Sequence, residues 1–194
     1  MRQWVPVPGS TKARLIEAAL HHFEQSGYDA CNVADLAAKA GVTTGSLYHH
    51  FGSKLGLYTV ARDDVEKRIT DRMEGAAATT GGDGAAAVHA ALLVAYGAAV
   101  RFNACRLLGE PPPVDGIDPV ADTVRSLLPE RLAVAPAVLA AAWRAALLSV
   151  ADGATNESAL AALQFLLGGV SSPVDPTSSA VTTRPRLAGK DPVT

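Results

Sequence analysis

From Leu15 onward, apolar positions recur at the three-to-four-residue step of an α-helix, and no stretch shows the sustained alternation expected of a strand. Leu15, Ala19 and Phe23 fall at i, i+4 and i+8 with Ile16 beside them, predicting a first helix from just after Ser10 to about Gln25, ended by Gly27. Ser10 follows the Pro8-Gly9 break and suits an N-cap. Asn32 and Asp35 have capping-box-like spacing ahead of a short second helix whose inner face is Val33, Leu36, Ala37 and Ala40. Gly41 then permits a sharp left-handed turn, and Thr43 can cap a third helix that carries Leu47 and Phe51 inward and stops at Gly52. Ser53 can cap a fourth, reaching about Met73.

The Gly, Ala, Thr and Asp of 76–84 read as a linker. Beyond it the pattern predicts helices over Ala85 to Leu108, Pro119 to Leu128, Pro136 to Val150 and Asn156 to Leu167. Asp118-Pro119 supplies a cap and a first-turn proline, Pro111 to Pro113 force a loop, and Gly168-Gly169 stop the last helix. The expected class is all-α. A flexible arm (1–9) precedes a three-helix head (10–54) and a larger helical body (55–170), and a Ser/Thr/Pro-rich disordered tail (171–194) follows.

Composition supports a folded chain, with 48% hydrophobic and only 19% charged residues among 194. The net charge of -2 speaks against nucleic acid until its distribution is considered. Up to Arg68 there are eight Lys/Arg against seven Asp/Glu, beyond it nine against twelve, and four of the five histidines lie in the front part. Cys31 and Cys105 are too few and too distant for a disulfide framework or a zinc site, which suits a reducing cytoplasm. No signal peptide is visible, and the longest apolar run, Ala133 to Ala151, is broken by Pro136 and Arg144 and reads as a buried helix, so no membrane partner is expected.

Candidate chemistry concentrates in Val33 to Lys54. Two short helices joined at a glycine turn form the unit that lays one helix in the DNA major groove. Thr43, Thr44 and Ser46 offer hydroxyls to base edges or phosphates, Gly45 allows close backbone approach, and Tyr48, His49 and His50 follow on the same helix. The two adjacent histidines diverge, so one is expected to act and the other to be solvated, and they form no metal site. Lys54, at the start of the fourth helix, can meet a phosphate. In the body, His89, Tyr96, Arg101, Phe102, Asn103, Trp143 and Arg144 interrupt an Ala/Leu/Val background. Of these, His89, Tyr96, Phe102, Trp143 and Arg144 are the candidates for contact with a small effector, although residues such as Tyr96 and Phe102 more often belong to a core and Arg101 to a surface. Arg144 would be costly to bury unpaired, and either an acidic effector or Asp152 can balance it.

The segments LIEAALHHFEQSGYD, VADLAAKAGV and TTGSLYHHFGSK, with Leu57, resemble the DNA-binding domain of the TetR (tetracycline repressor) family. The resemblance covers about the first seventy residues. It implies an all-helical homodimer whose C-terminal body binds a small effector, and it places Thr44, Gly45, Ser46, Tyr48, His49 and Lys54 near DNA. Two helices rich in small residues, Pro136 to Val150 and Asn156 to Leu167, would then form the dimer interface, unless they only complete the monomer core. Cys31-Asn32 stands where Thr or Ser pairs are frequent in the family, and Leu55-Gly56 where Glu-Ala is common. Gly56 is expected to cost the fourth helix up to about 1 kcal/mol relative to alanine and to soften the link between head and body.

The expected function is that of a sequence-specific transcriptional regulator, a repressor released from a double-stranded operator by an effector. An architectural DNA-binding protein with a filled body is the alternative. No nucleophile elbow, phosphate loop or metal-ligand spacing supports an enzyme, and no cofactor is expected.

Overall fold

In a computed structural model the described residues are 9–111 and 118–168. The expected arm (1–9) and tail (171–194) lie outside them apart from Gly9, as does most of the proline loop after Pro111. Nine α-helices and one 3-10 turn (Glu130–Leu132) make up the described chain. The head comprises α1 (Thr11–Ala30), α2 (Val33–Lys39) and α3 (Thr44–Phe51). The long α4 (Lys54–Ala78) leads from it into α5 (Gly84–Arg101), α6 (Cys105–Gly109), α7 (Pro119–Ser126), α8 (Ala135–Ala151) and α9 (Asn156–Gly168).

Local capping chemistry sets the head's boundaries. Ser10 accepts from Ala13 N at 3.2 Å, Asn32 from Ala34 N at 2.8 Å, Thr43 from Ser46 N at 3.2 Å and Ser53 from Gly56 N at 2.9 Å. Gly27 breaks α1 as expected, at φ 76°, but the helix resumes for one further turn to Ala30. α4 runs five residues past the expected Met73, because Gly75 is followed by three good helix formers, Ala76 to Ala78. The helix expected over Ala85 to Leu108 is two. Asn103, at φ 51°, turns the chain left-handed between α5 and α6, and its amide and that of Ala104 close back onto Val100 and Ala99 carbonyls.

One hydrophobic cluster runs through head and body. Leu15, Phe23, Leu36 and Leu47 fill the head, and α4 continues the same core with Leu57, Ile69 and Met73 against α5 and α7. α5 is long and apolar enough to cross a membrane by length and composition, and Ala87, Val88, Ala91, Leu92 and Tyr96 on it are buried in this core. α6 and α8 approach so closely that a Cβ on Gly109 would lie 2.8 Å from Leu148 Cγ.

Candidate nucleic-acid interface

The helix-turn-helix is built from the turn outward. Gly41 adopts φ 65°, and Gly41 N and Val42 N bond back to the Ala38 and Ala37 carbonyls, so α2 ends and the chain reverses within three residues. Thr43 then starts α3, and its Oγ1 also lies 3.2 Å from Ser46 Oγ. Leu47 is fully buried and Phe51 half-buried, which pins α3 to the head. Thr43, Thr44, Gly45, Tyr48, His49 and His50 are exposed, with Tyr48 at 51%. A solvent-facing strip of hydroxyl, phenol and imidazole groups is therefore held on a short rigid helix. Ser46 is half-buried and engaged in the cap.

Lys54 sits differently from the simple expectation. Its Nζ donates to the Asp29 carbonyl at 3.2 Å and lies 4.6 Å from the Tyr28 ring centre, so it ties the start of α4 to the end of α1. Gly56 also changes meaning: a Cβ there would come within 2.1 Å of the Phe51 carbonyl oxygen. Glycine at the third position of α4 allows the close pass between α3 and α4, rather than serving only to loosen the helix.

The body's candidates are dispersed. Tyr96 is buried and donates its hydroxyl to the Asn156 carbonyl at 3.2 Å. Phe102 is half-buried, 4.8 Å beneath the Arg72 guanidinium, and His89 is half-buried on α5. Trp143 is wholly buried beside Arg144, and its indole Nε1 has no hydrogen-bond partner. Arg101 and Asn103 are exposed. The expected pairing of Arg144 with Asp152 is not formed: Arg144 Nη2 meets Asp118 Oδ1 at 2.7 Å and Nη1 donates to the Leu108 carbonyl, while Asp152 pairs with Arg106 at 2.7 Å. Asp118 both caps α7 and holds Arg144, which lie 26 residues apart in sequence.

Sequence reasoning missed the polar bonds at the two ends of α6. Glu24 of α1 accepts from Cys105 N, Arg106 N and Leu107 N at 2.9, 2.9 and 3.0 Å, capping α6 from the head. At the other end, Arg62 of α4 donates to the Leu107 and Glu110 carbonyls at 2.7 and 2.9 Å, to Tyr58 Oη at 2.8 Å and to Glu66 at 2.8 Å. Burial alone would favour loss of the Arg62 proton, but the Glu66 carboxylate and the Tyr58 hydroxyl hold its pKa above the ordinary value. Glu110 in turn accepts from Tyr28 N at 3.2 Å. Two open grooves, of about 490 Å3 beside Arg14, His21 and Lys39 and about 540 Å3 beside Arg125, Leu132 and Pro136, are lined by none of the five effector candidates. Among the described residues no cluster of three or more His, Cys, Asp or Glu is arranged to hold a metal.

A helix-turn-helix head with its second helix exposed, on a larger helical body, defines the class of helix-turn-helix proteins. Residues 15–60 match the model of the bacterial regulatory proteins of the tetR family. A TetR-family transcriptional regulator from Pectobacterium atrosepticum has the same fold, with TM-score 0.56 and 24% identity over 82% of this chain and 93% of that one. A transcriptional regulator from Rhodococcus sp. Rha1 matches with TM-score 0.56 and 18% identity over 83% and 96%. Among curated relatives, the regulator CymR of Pseudomonas putida is 37% identical over 62 residues, 32% of this chain and 30% of that protein. The repressor KstR2 of Mycolicibacterium smegmatis is 45% identical over 47 residues, 24% and 23% of the two chains. The chain thus spans less than a third of these relatives' length. Residues 15–60 match the tetR family's N-terminal domain, and the described residues as a whole share the fold of a TetR-family regulator.

Proposed function

We propose that this protein is a sequence-specific DNA-binding transcriptional regulator of the cytoplasm, a repressor that leaves its operator when a small effector enters the body. The observation that carries the reading is α3: its apolar residues fix it to the head while Thr44, Gly45, Tyr48 and His49 face outward. Thr44 and Gly45, with Ser46 behind them, address base edges, and Tyr48 sets register against a phosphate. Lys54 offers its remaining N–H bonds to the backbone while the Asp29 carbonyl steadies it.

A second copy of the chain is the natural cover for the face of α8 and α9, where Val138, Phe165 and Leu166 are 59, 84 and 55% exposed. A twofold dimer would present two recognition helices to a palindromic operator. Coupling between body and head is supported by α6, which is bonded at one end to α1 through Glu24 and at the other to α4 through Arg62.

Selection of bound fragments from genomic DNA supplies the operator, after which Tyr48→Ala, Thr44→Ala and Phe165→Glu are compared with wild type by competition binding and sedimentation. Each lost base or phosphate contact weakens binding by roughly 5- to 100-fold. Phe165→Glu gives a monomer with lost operator affinity. Unchanged affinity in Tyr48→Ala and Thr44→Ala at moderate salt removes the site assignment, and binding without sequence preference replaces the regulator with an architectural protein.

A further inference from the structure

The core of the body holds an unmet hydrogen-bonding demand that is one-sided. Arg62, 3% exposed, uses Nε and Nη1 fully, yet its Nη2 is buried without a partner. Trp143, wholly buried on α8, has the same deficit at Nε1. Both orphans are donors, and among the described residues no buried side-chain acceptor is orphaned. Buried polar groups are rarely left unpaired, because each gives up its water without replacement.

Both donors belong to helices packed against α6. Arg62 bonds the carbonyls at its C-terminal end, and Trp143 lies next to Arg144, whose guanidinium bonds the Leu108 carbonyl. α6 is only five residues long, bounded by left-handed Asn103 and by Pro111, and its ends are held mainly by side chains of other helices, Glu24, Arg62 and Arg144. The inner face of α5 opposite α4 is lined by small side chains, among them Ala87, Ala91 and Ala95.

We propose that the body interior around α6 takes a mainly apolar molecule bearing a neutral oxygen acceptor, received by Arg62 Nη2, with Trp143 Nε1 as the second donor. This rests on the effector part of the function proposed above and names the effector's chemical class. Neutrality follows from charge balance. Arg62 is already matched by Glu66 at 2.8 Å and Arg144 by Asp118 at 2.7 Å, so a carboxylate ligand would bring an uncompensated charge into the core. A ketone or lactone oxygen satisfies a guanidinium or indole N–H at no such cost.

The test uses the full-length protein and a graded series of ketones (2-butanone, cyclohexanone, acetophenone, cyclododecanone), each with its size-matched hydrocarbon and carboxylate, followed by calorimetry and thermal shift. The expected result is saturable binding of at least one ketone, at least tenfold tighter than its hydrocarbon and its carboxylate. Trp143→Phe, which keeps the aromatic volume, should weaken that ketone roughly fivefold and leave the hydrocarbon unchanged. Arg62→Met should abolish the preference, and if it fails to fold, Trp143→Phe decides. No binding across the series, equal binding of hydrocarbons, preference for carboxylates, or ketone affinity untouched by Trp143→Phe overturns the proposal. Operator affinity is read separately with the bound ketone: a ketone that binds without releasing DNA upholds the site and refutes effector release.

Discussion

Replacing Glu24 by alanine should cost this protein far more than a half-exposed glutamate on a helix surface ordinarily would. Its carboxylate caps the N-terminal end of α6, whose own preceding residue, Ala104, has no side chain able to serve. Three backbone N–H groups, those of Cys105, Arg106 and Leu107, lose their acceptor at once, and Cys105 and Leu107 are only 4 and 1% exposed. A lost cap alone costs about 1 kcal/mol, and stranding a buried donor costs about 1–3 kcal/mol. Partial access of water on the Arg106 side reduces the sum, so about 3 kcal/mol is expected for Glu24→Ala. Glu24→Gln keeps one acceptor oxygen and should lose about 1 kcal/mol. At about 2–4 °C per kcal/mol for a chain of this size, Tm falls by about 6–12 °C for alanine and about 2–4 °C for glutamine. Calorimetric melts at one protein concentration measure this, and hydrogen exchange at the amides of 105–107 locates it, with protection lost there first. A shift under about 1 °C for Glu24→Ala, or equal shifts for the two variants, would show that water replaces the carboxylate and that α6 is not held from the head.

Gly27→Ala and Gly52→Ala form a matched pair. Both positions have φ near 75°, but only at Gly27 would a Cβ lie 2.4 Å from Glu110 Oε1, forcing that carboxylate off Tyr28 N, whereas nothing lies within 4 Å at Gly52. About 1 kcal/mol is expected at Gly52 and about 2–3 kcal/mol at Gly27, and equal losses in denaturant melts would refute the contact argument. Asp118 supplies a pH test. Burial pushes its carboxyl up, but the hydrogen bond and charge of Arg144 and the N–H groups of Ala121 and Val120 bring it below the usual range. Its contribution to stability is therefore complete above the ordinary carboxylate pKa and lost as pH falls through the lower folded value. Asp118→Asn should flatten the acid limb of stability against pH, and parallel limbs in the two proteins would count against the pairing.

The head was legible because its boundaries are set by neighbours in sequence. Ser10, Asn32, Thr43 and Ser53 each cap the helix that follows, and each bond spans two or three residues. The same local logic failed where a distant partner decides. Gly56 read as a weak helix former, but its role lies in the Phe51 carbonyl pressed against it. The break between α5 and α6 was marked only by Asn103, one of the few non-glycine residues tolerant of a left-handed conformation. What makes α6 a separate helix is Glu24, eighty-one residues before Cys105.

Arg62 and Arg144 show why the candidate site was harder to read than the fold. Arg144 stood out because it interrupts an apolar run, while Arg62 sits in a charged stretch, Arg62-Asp63-Asp64, and drew no notice. In the structure the order of burial is reversed, with the Arg62 side chain 3% exposed and that of Arg144 12%. Local hydrophobicity is the wrong measure for a helix, where phase decides which residues face the core. Tyr58, Arg62, Val65, Ile69 and Met73 advance by three or four and lie on one stripe, with Glu66 one turn from Arg62 on the same face. Read by phase, a charged pair falls inside an otherwise apolar stripe, and burial is tolerable there only if the charges neutralise each other and find further partners. Glu66 meets the first condition, and Tyr58 with the α6 carbonyls meets most of the second. The part left unmet, Nη2, is the part a ligand can supply.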